Sequence, residues 1–241
     1  QNGTNQVLPV NDMKLVYLSA LSPSVRHLNL SHVRLLPSNS FNLLLLHIIA
    51  TKILGFSPVE LETDRSLLFF GSLGPQCVAV TDEGIFALIG LSNLRTLLLH
   101  GCRLLTDKAL KDMTKMARLE KLDISGLNSF SSAGLRLLGE MPNLHCLSMH
   151  GIDTVDDRVL ESLAELNSLR NLDISSCVSI TEDGIKHIGK TTTLTSLNLS
   201  GNSRLGQQRA WKHLSALVNL MQLKVKSIIF SDEQMDDFCG I

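Results

Sequence analysis

Aromatic side chains are scarce in this chain, with one Trp, one Tyr and eight Phe among 241 residues. Stacked nucleic-acid bases need such platforms. Basic residues do not outnumber acidic ones, 22 Lys and Arg against 23 Asp and Glu, so the electrostatic footprint of a phosphate binder is missing as well. No nucleic acid is expected as a partner through direct base reading. No apolar run approaches the ~20 residues that a membrane span needs. Cysteine is sparse and odd in number, at Cys77, Cys102, Cys146, Cys177 and Cys239, which is not a disulfide framework. Zinc or redox spacing of the C-x-x-C kind is absent, as are a glycine-rich phosphate loop and a G-x-S-x-G elbow. Neither a metal nor a cofactor is therefore expected. Disorder is excluded by an apolar fraction of 44%.

What the chain has in excess is leucine, 47 residues of 241, and the leucines are periodic. The pattern L-x-x-L-x-L, with conservative exchanges, starts at Leu94, Leu119, Leu144, Leu169 and Leu194, each 25 residues after the last, and again at Leu220 after 26. Cys102 and Cys177 share one position of this period with Cys77. Four residues later in the same frame stand Thr81, Thr106, Ser131, Asp156 and Thr181, all helix N-cap types. Mostly apolar residues follow each of them at +4, +7 and +10, for example Leu160, Leu163 and Leu166, which draws one apolar stripe along a short helix. Trp211, Leu214 and Leu217 continue that series, which makes the single Trp a core residue. Each unit is thus a short strand, a loop and a helix. Such a unit cannot cover its apolar side alone, but a stack of them can.

Cys102-Arg-Leu-Leu-Thr-Asp-Lys-Ala-Leu110, Cys177-Val-Ser-Ile-Thr-Glu-Asp-Gly-Ile185, Leu122-Asp-Ile-Ser-Gly126 and Leu197-Asn-Leu-Ser-Gly201 resemble the cysteine-containing leucine-rich repeats. The resemblance covers about residues 77–226. It implies an α/β fold, a right-handed horseshoe of seven or eight repeats, with a parallel sheet on the concave face and helices on the convex face. It also implies protein binding, since this subfamily forms the substrate-binding halves of F-box proteins and shares its horseshoe with ribonuclease inhibitor. The helix end before each strand lacks the subfamily's frequent second cysteine, and the first 60 residues show no F-box-like helical segment.

Three parts are expected. Residues 1–76 form an N-terminal cap with degenerate repeats: a strand at Val25, Leu28 and Leu30, an apolar helix from about Phe41 to Leu54 between Ser40 and Gly55, and an irregular strand at Leu67 and Phe69. Residues 77–226 are the regular repeats. Residues 227–241 form a C-terminal cap, in which Ser231 and Gln234 resemble a capping box and Met235 and Phe238 would pack on the last repeat. No leader peptide is visible. The reduced-thiol reading favours an intracellular location, cytoplasmic, or an organelle matrix after removal of a targeting peptide.

Strand alternation places three residues of each repeat on the concave face. They are Thr96, Leu98 and His100; Lys121, Asp123 and Ser125; Cys146, Ser148 and His150; Asn171, Asp173 and Ser175; Ser196, Asn198 and Ser200; and Gln222, Lys224 and Lys226. This polar face is the expected partner-binding site. Ser125, His150 and Asp173 fall on successive strands ~4.8 Å apart, so a hydrolytic Ser-His-Asp array is a distant alternative. An open face with no oxyanion hole speaks against it. His100 and His150 lie two strands apart, too far to hold one ion. The expected function is non-enzymatic: a scaffold or adaptor subunit of a hetero-complex. A substrate receptor of a cullin-type ubiquitin ligase is the alternative that the resemblance implies.

Overall fold

The repeated leucine is what aligns the strands. In the computed structural model, which describes residues 27–29, 80–207 and 211–229, seven three-residue strands form one parallel sheet in chain order. They are β1 (His27–Asn29), β2 (Thr96–Leu98), β3 (Lys121–Asp123), β4 (Cys146–Ser148), β5 (Asn171–Asp173), β6 (Ser196–Asn198) and β7 (Gln222–Lys224). The central residues pair in the order Leu28, Leu97, Leu122, Leu147, Leu172, Leu197, Leu223. From Leu97 to Leu197, each central leucine is buried while both flanking residues of its strand are more exposed. A one-residue slip would turn every leucine into water, so the pattern fixes the register.

Between the strands run α1 (Asp82–Leu88), α2 (Asp107–Met113), α3 (Ser132–Leu135), α4 (Asp157–Leu163) and α5 (Glu182–Ile188). Helices this short do not persist alone in water; packing and caps hold them. The expected apolar stripes are buried in every repeat, from Ile85, Leu88 and Leu91 to Trp211, Leu214 and Leu217, and Trp211 is fully enclosed. Thr106, Ser131, Asp156 and Thr181 cap their helices by accepting from backbone amides. Thr81 departs from the expectation: its side chain makes no cap bond, and its hydroxyl donates to Glu83 instead. Two connecting segments are less regular than the stripe suggested. α3 lasts one turn before a 3-10 segment, Arg136–Glu140. Between β6 and β7 the described residues carry only 3-10 turns, Ser203–Gln207 and Trp211–Ala216.

Neighbouring helices need 8–10 Å and neighbouring strands only ~4.8 Å, so stacking such units bends the sheet inward. The result is an α/β leucine-rich-repeat solenoid whose leucines form one continuous core. Each strand from β2 to β7 leads into a sharp turn through a residue of positive φ. Glycine fills that position at 101, 126, 151 and 201, whereas Ser176 (φ 56) and Ser227 (φ 58) take it without glycine's freedom.

β1 pairs directly with β2, His27 opposite Thr96, and these partners are 69 positions apart where every later pair is 25 or 26 apart. The strand expected at Leu67 and Phe69 lies outside the described residues. The expected helix at 41–54, Cys77 and the capping box at 231–234 lie outside the described residues. Among the described residues no helix is long and apolar enough to cross a membrane.

Candidate protein-interaction face on the parallel sheet

The strands present two columns of side chains in front of the sheet, and the turns that follow present a third. The column after the central leucines reads Leu98, Asp123, Ser148, Asp173, Asn198, Lys224. Three of its members also stabilise the turn that follows them. Asp123 Oδ1 accepts from the Ser125 amide at 2.9 Å, Asp173 Oδ1 from the Ser175 amide at 2.9 Å, and Asn198 Oδ1 from the Ser200 amide at 3.2 Å. Each therefore binds the backbone two residues on, a local turn that Asp and Asn favour.

The third column corrects the sequence reading. Ser125 and Ser175 were expected to face a partner, but they are only 4% and 6% exposed. Their hydroxyls are consumed within the protein. Ser125 Oγ lies 2.8 Å from Ser148 Oγ, and Ser175 Oγ donates to Asp173 Oδ1 at 2.5 Å. His150 Nδ1 stands 2.9 Å from that same Ser175 oxygen, and Asn198 Nδ2 donates to Asp173 Oδ2 at 2.9 Å. The longer His150 and Lys226 at the same position are exposed, so it is the short serine side chains, bonded to their neighbours, that are withdrawn.

This network decides the hydrolytic alternative on geometry. A nucleophile needs its hydroxyl bound to the base, and the base oriented by the acid. Here Ser125 is paired with another serine, His150 is bound to Ser175, and Asp173 is bound to Ser175 and Asn198. The three residues of the proposed array are not brought together. Among the described residues no three His, Cys, Asp or Glu side chains gather as a metal site.

The first column, Thr96, Lys121, Cys146, Asn171, Ser196 and Gln222, is partly or well exposed throughout. Adjacent members bond across strands, Asn171 Nδ2 to Cys146 Sγ at 3.3 Å and Ser196 Oγ to Gln222 Oε1 at 3.1 Å. Among the described residues Lys121, Asp123 and Lys224 form no ion pair, although all three stand on the same open face. The face thus offers a half-buried apolar residue, Leu98, unpaired charges of both signs and a row of amides and hydroxyls.

Behind the face the cysteine position is interior. Cys102 and Cys177 are fully buried. Cys177 Sγ donates to the Met149 carbonyl at 3.2 Å, and burial pushes its thiol up to about 12. At the same position one repeat on, Asn202 is 1% exposed. It accepts from the Cys177 amide at 2.7 Å and donates to the Ile174 and Leu199 carbonyls at 2.9 and 3.0 Å. The sequence reading missed this residue, although a polar side chain at a position otherwise held by Cys102, Leu127, Ile152 and Cys177 marks it. It also missed a carboxylate clamp. Asp82 binds the amide and hydroxyl of Thr106, and Asp157 binds those of Thr181 in the same way. Asp107 does so for Ser131. The period of 25 displays these aspartates too, at three of five positions, with Ser132 and Glu182 at the others.

No protein-family model and no curated protein matches the chain. Solved structures do resemble it. The crystal structure of the yeast Rad7 and Elc1 complex aligns over 64% of this chain and 42% of that one, with 22% identity and a TM-score of 0.54. A leucine-rich-repeat protein of Leptospira interrogans aligns over 68% of this chain and 44% of that one, with 20% identity and a TM-score of 0.45. The chain spans less than half the length of each. The yeast likeness agrees with the fold read from the strand register.

Proposed function

We propose that this chain is a non-enzymatic protein-binding module, a scaffold or adaptor subunit of a larger complex inside the cell, and that its partner lies against the strand face. The supporting observation is that Lys121, Asp123 and Lys224 present charges without ion pairs among the described residues, beside Leu98, on a broad exposed sheet. Such groups can pair with a partner's charges while the amides and hydroxyls of the columns satisfy its backbone. No metal or cofactor enters this reading.

A photoreactive amino acid placed at Lys121 on the sheet, or at Lys111 on the outer face of α2, tests it. Crosslinking to one partner from position 121, lost when Leu98→Glu and Lys224→Glu are added, is the expected outcome. Crosslinking from position 111 alone would move the site to the helices and end this reading.

A second reading, a substrate receptor of a cullin-type ubiquitin ligase, draws on the likeness to the solenoid solved in the Rad7 and Elc1 complex. It requires association with a cullin adaptor. Co-purification of this chain with such an adaptor separates it from the first reading.

A further inference from the structure

The bonds around His150 fix where its ring carries a proton. Asp173 only accepts: the Ser175 amide and hydroxyl both donate to Oδ1, and Asn198 Nδ2 donates to Oδ2. The single hydroxyl hydrogen of Ser175 is thereby spent on Asp173. The 2.9 Å contact between His150 Nδ1 and Ser175 Oγ must then be filled by a hydrogen on the ring. A neutral His150 is held with Nδ1 protonated and Nε2 bare, the reverse of the form that a free neutral histidine side chain favours. The residue is exposed, and its Nε2 has no partner among the described residues.

One strand away on the same face, Asp123 is left in a similar state. Its Oδ1 accepts from the Ser125 amide, and its Oδ2 has no partner among the described residues. Asp123 lies opposite Ser148, two residues before His150. One strand spacing and two residues of rise put the two Cα positions roughly 8 Å apart. The serines beside them, Ser125 and Ser148, bond to each other. Asp123 on β3 and Asp173 on β5 are the charged groups on either side of His150. Lys121 stands in the far column and makes no ion pair among the described residues, and His100 is two strands off.

We infer that His150 Nε2 and Asp123 Oδ2 together receive a cationic N–H donor, an arginine or lysine side chain, from the protein partner. Two bare acceptors that share a negative charge fit a group made only of donors, whereas a partner's carboxylate would meet lone pairs on both sides. Acid reverses the match. A protonated His150 turns Nε2 into a donor and adds a positive charge, which repels the same cation. This rests on the strand-face reading and gives the partner's chemistry at the middle of that face.

The probe is the tripeptide acetyl-Gly-Arg-Gly-amide, with citrulline or glutamate in place of its arginine for comparison, titrated into the isotope-labelled full chain. Long-range proton–nitrogen spectra of the histidine rings read the tautomer, and the Asp123 amide reads binding. In the free chain His150 should carry its proton on Nδ1, and Ser175→Ala should move it toward Nε2. The arginine peptide should bind saturably at pH 7.5 and about fivefold more weakly at pH 5.5. Asp123→Asn should weaken it about tenfold, citrulline should lower it similarly, and the glutamate peptide should not bind. His150→Gln keeps an acceptor that takes up no proton, so binding should persist without the loss in acid. Amide signals away from β3, β4 and β5 must stay unchanged in every variant as the control for folding. A free-chain His150 protonated on Nε2, or arginine and glutamate peptides that bind alike, would overturn the inference. If position 121 captures a partner while the peptide test fails, only this inference falls. Capture from position 111 alone ends the strand-face reading and this inference with it.

Discussion

Cys177 shows how one residue's chemistry is set by its place in the stack. Its thiol is enclosed by leucine-rich layers, donates to a carbonyl, and is held neutral well above its ordinary value of 9.0, at about 12. The folded state thus keeps a proton that the unfolded chain releases near pH 9. The stability this group contributes is fully present below pH 9 and is lost as pH rises toward about 12, at up to ~1.4 kcal/mol per pH unit. Urea unfolding of the parent chain and of Cys177→Ala, compared from pH 8 to 11, should give curves whose difference narrows with rising pH. A constant difference would refute the account. In native protein at pH 8, a thiol reagent has access to the half-exposed Cys146 but not to Cys102 or Cys177.

The helix junctions obey a rule with one informative exception. In most repeats an aspartate at the first helical position binds the next repeat's N-cap hydroxyl, as Asp82 does with Thr106. At the third junction donor and acceptor are exchanged: Ser132 Oγ donates to Asp156 Oδ2 at 2.8 Å. Both arrangements place one carboxylate and one hydroxyl together. Ser132→Asp would therefore press two carboxylates against each other and should cost about 1–2 kcal/mol, with Asp156→Thr in the same chain restoring most of it, a coupling that a double-mutant cycle in urea measures. The usual clamp also explains a glycine: a Cβ on Gly134 would meet the Asp107 carboxylate, and one on Gly184 the Asp157 carboxylate. Strand register, helix stripes, the core Trp211 and the cysteine position were all legible in the sequence, since each follows from a period of 25 and a rule of apolar burial. Less legible was what depends on neighbours in three dimensions. Ser125 and Ser175 look like surface residues by alternation, and only their partners Ser148 and Asp173 show that they are withdrawn. Thr81, an N-cap residue by its position in the repeat, makes no cap bond and donates its hydroxyl to Glu83.

Across the whole molecule, stability resides in identical neighbour contacts repeated along the stack, so each repeat depends on the one beside it. The middle of the sheet has neighbours on both sides; among the described residues β1 and β7 have one. β1 carries a further burden, because its register with β2 closes a loop of 69 positions instead of 25. By chain statistics that difference costs about 0.9 kcal/mol in closure entropy. Native-state hydrogen exchange should accordingly find the amides of β4 and β5 opening only with global unfolding, and those of β1 opening at a distinctly lower free energy. Equal protection of β1 and β4 would contradict this. If it holds, the order of assembly is set as well: the evenly spaced units zip together quickly from the middle, and β1, made before them on the ribosome, is among the last to find its place.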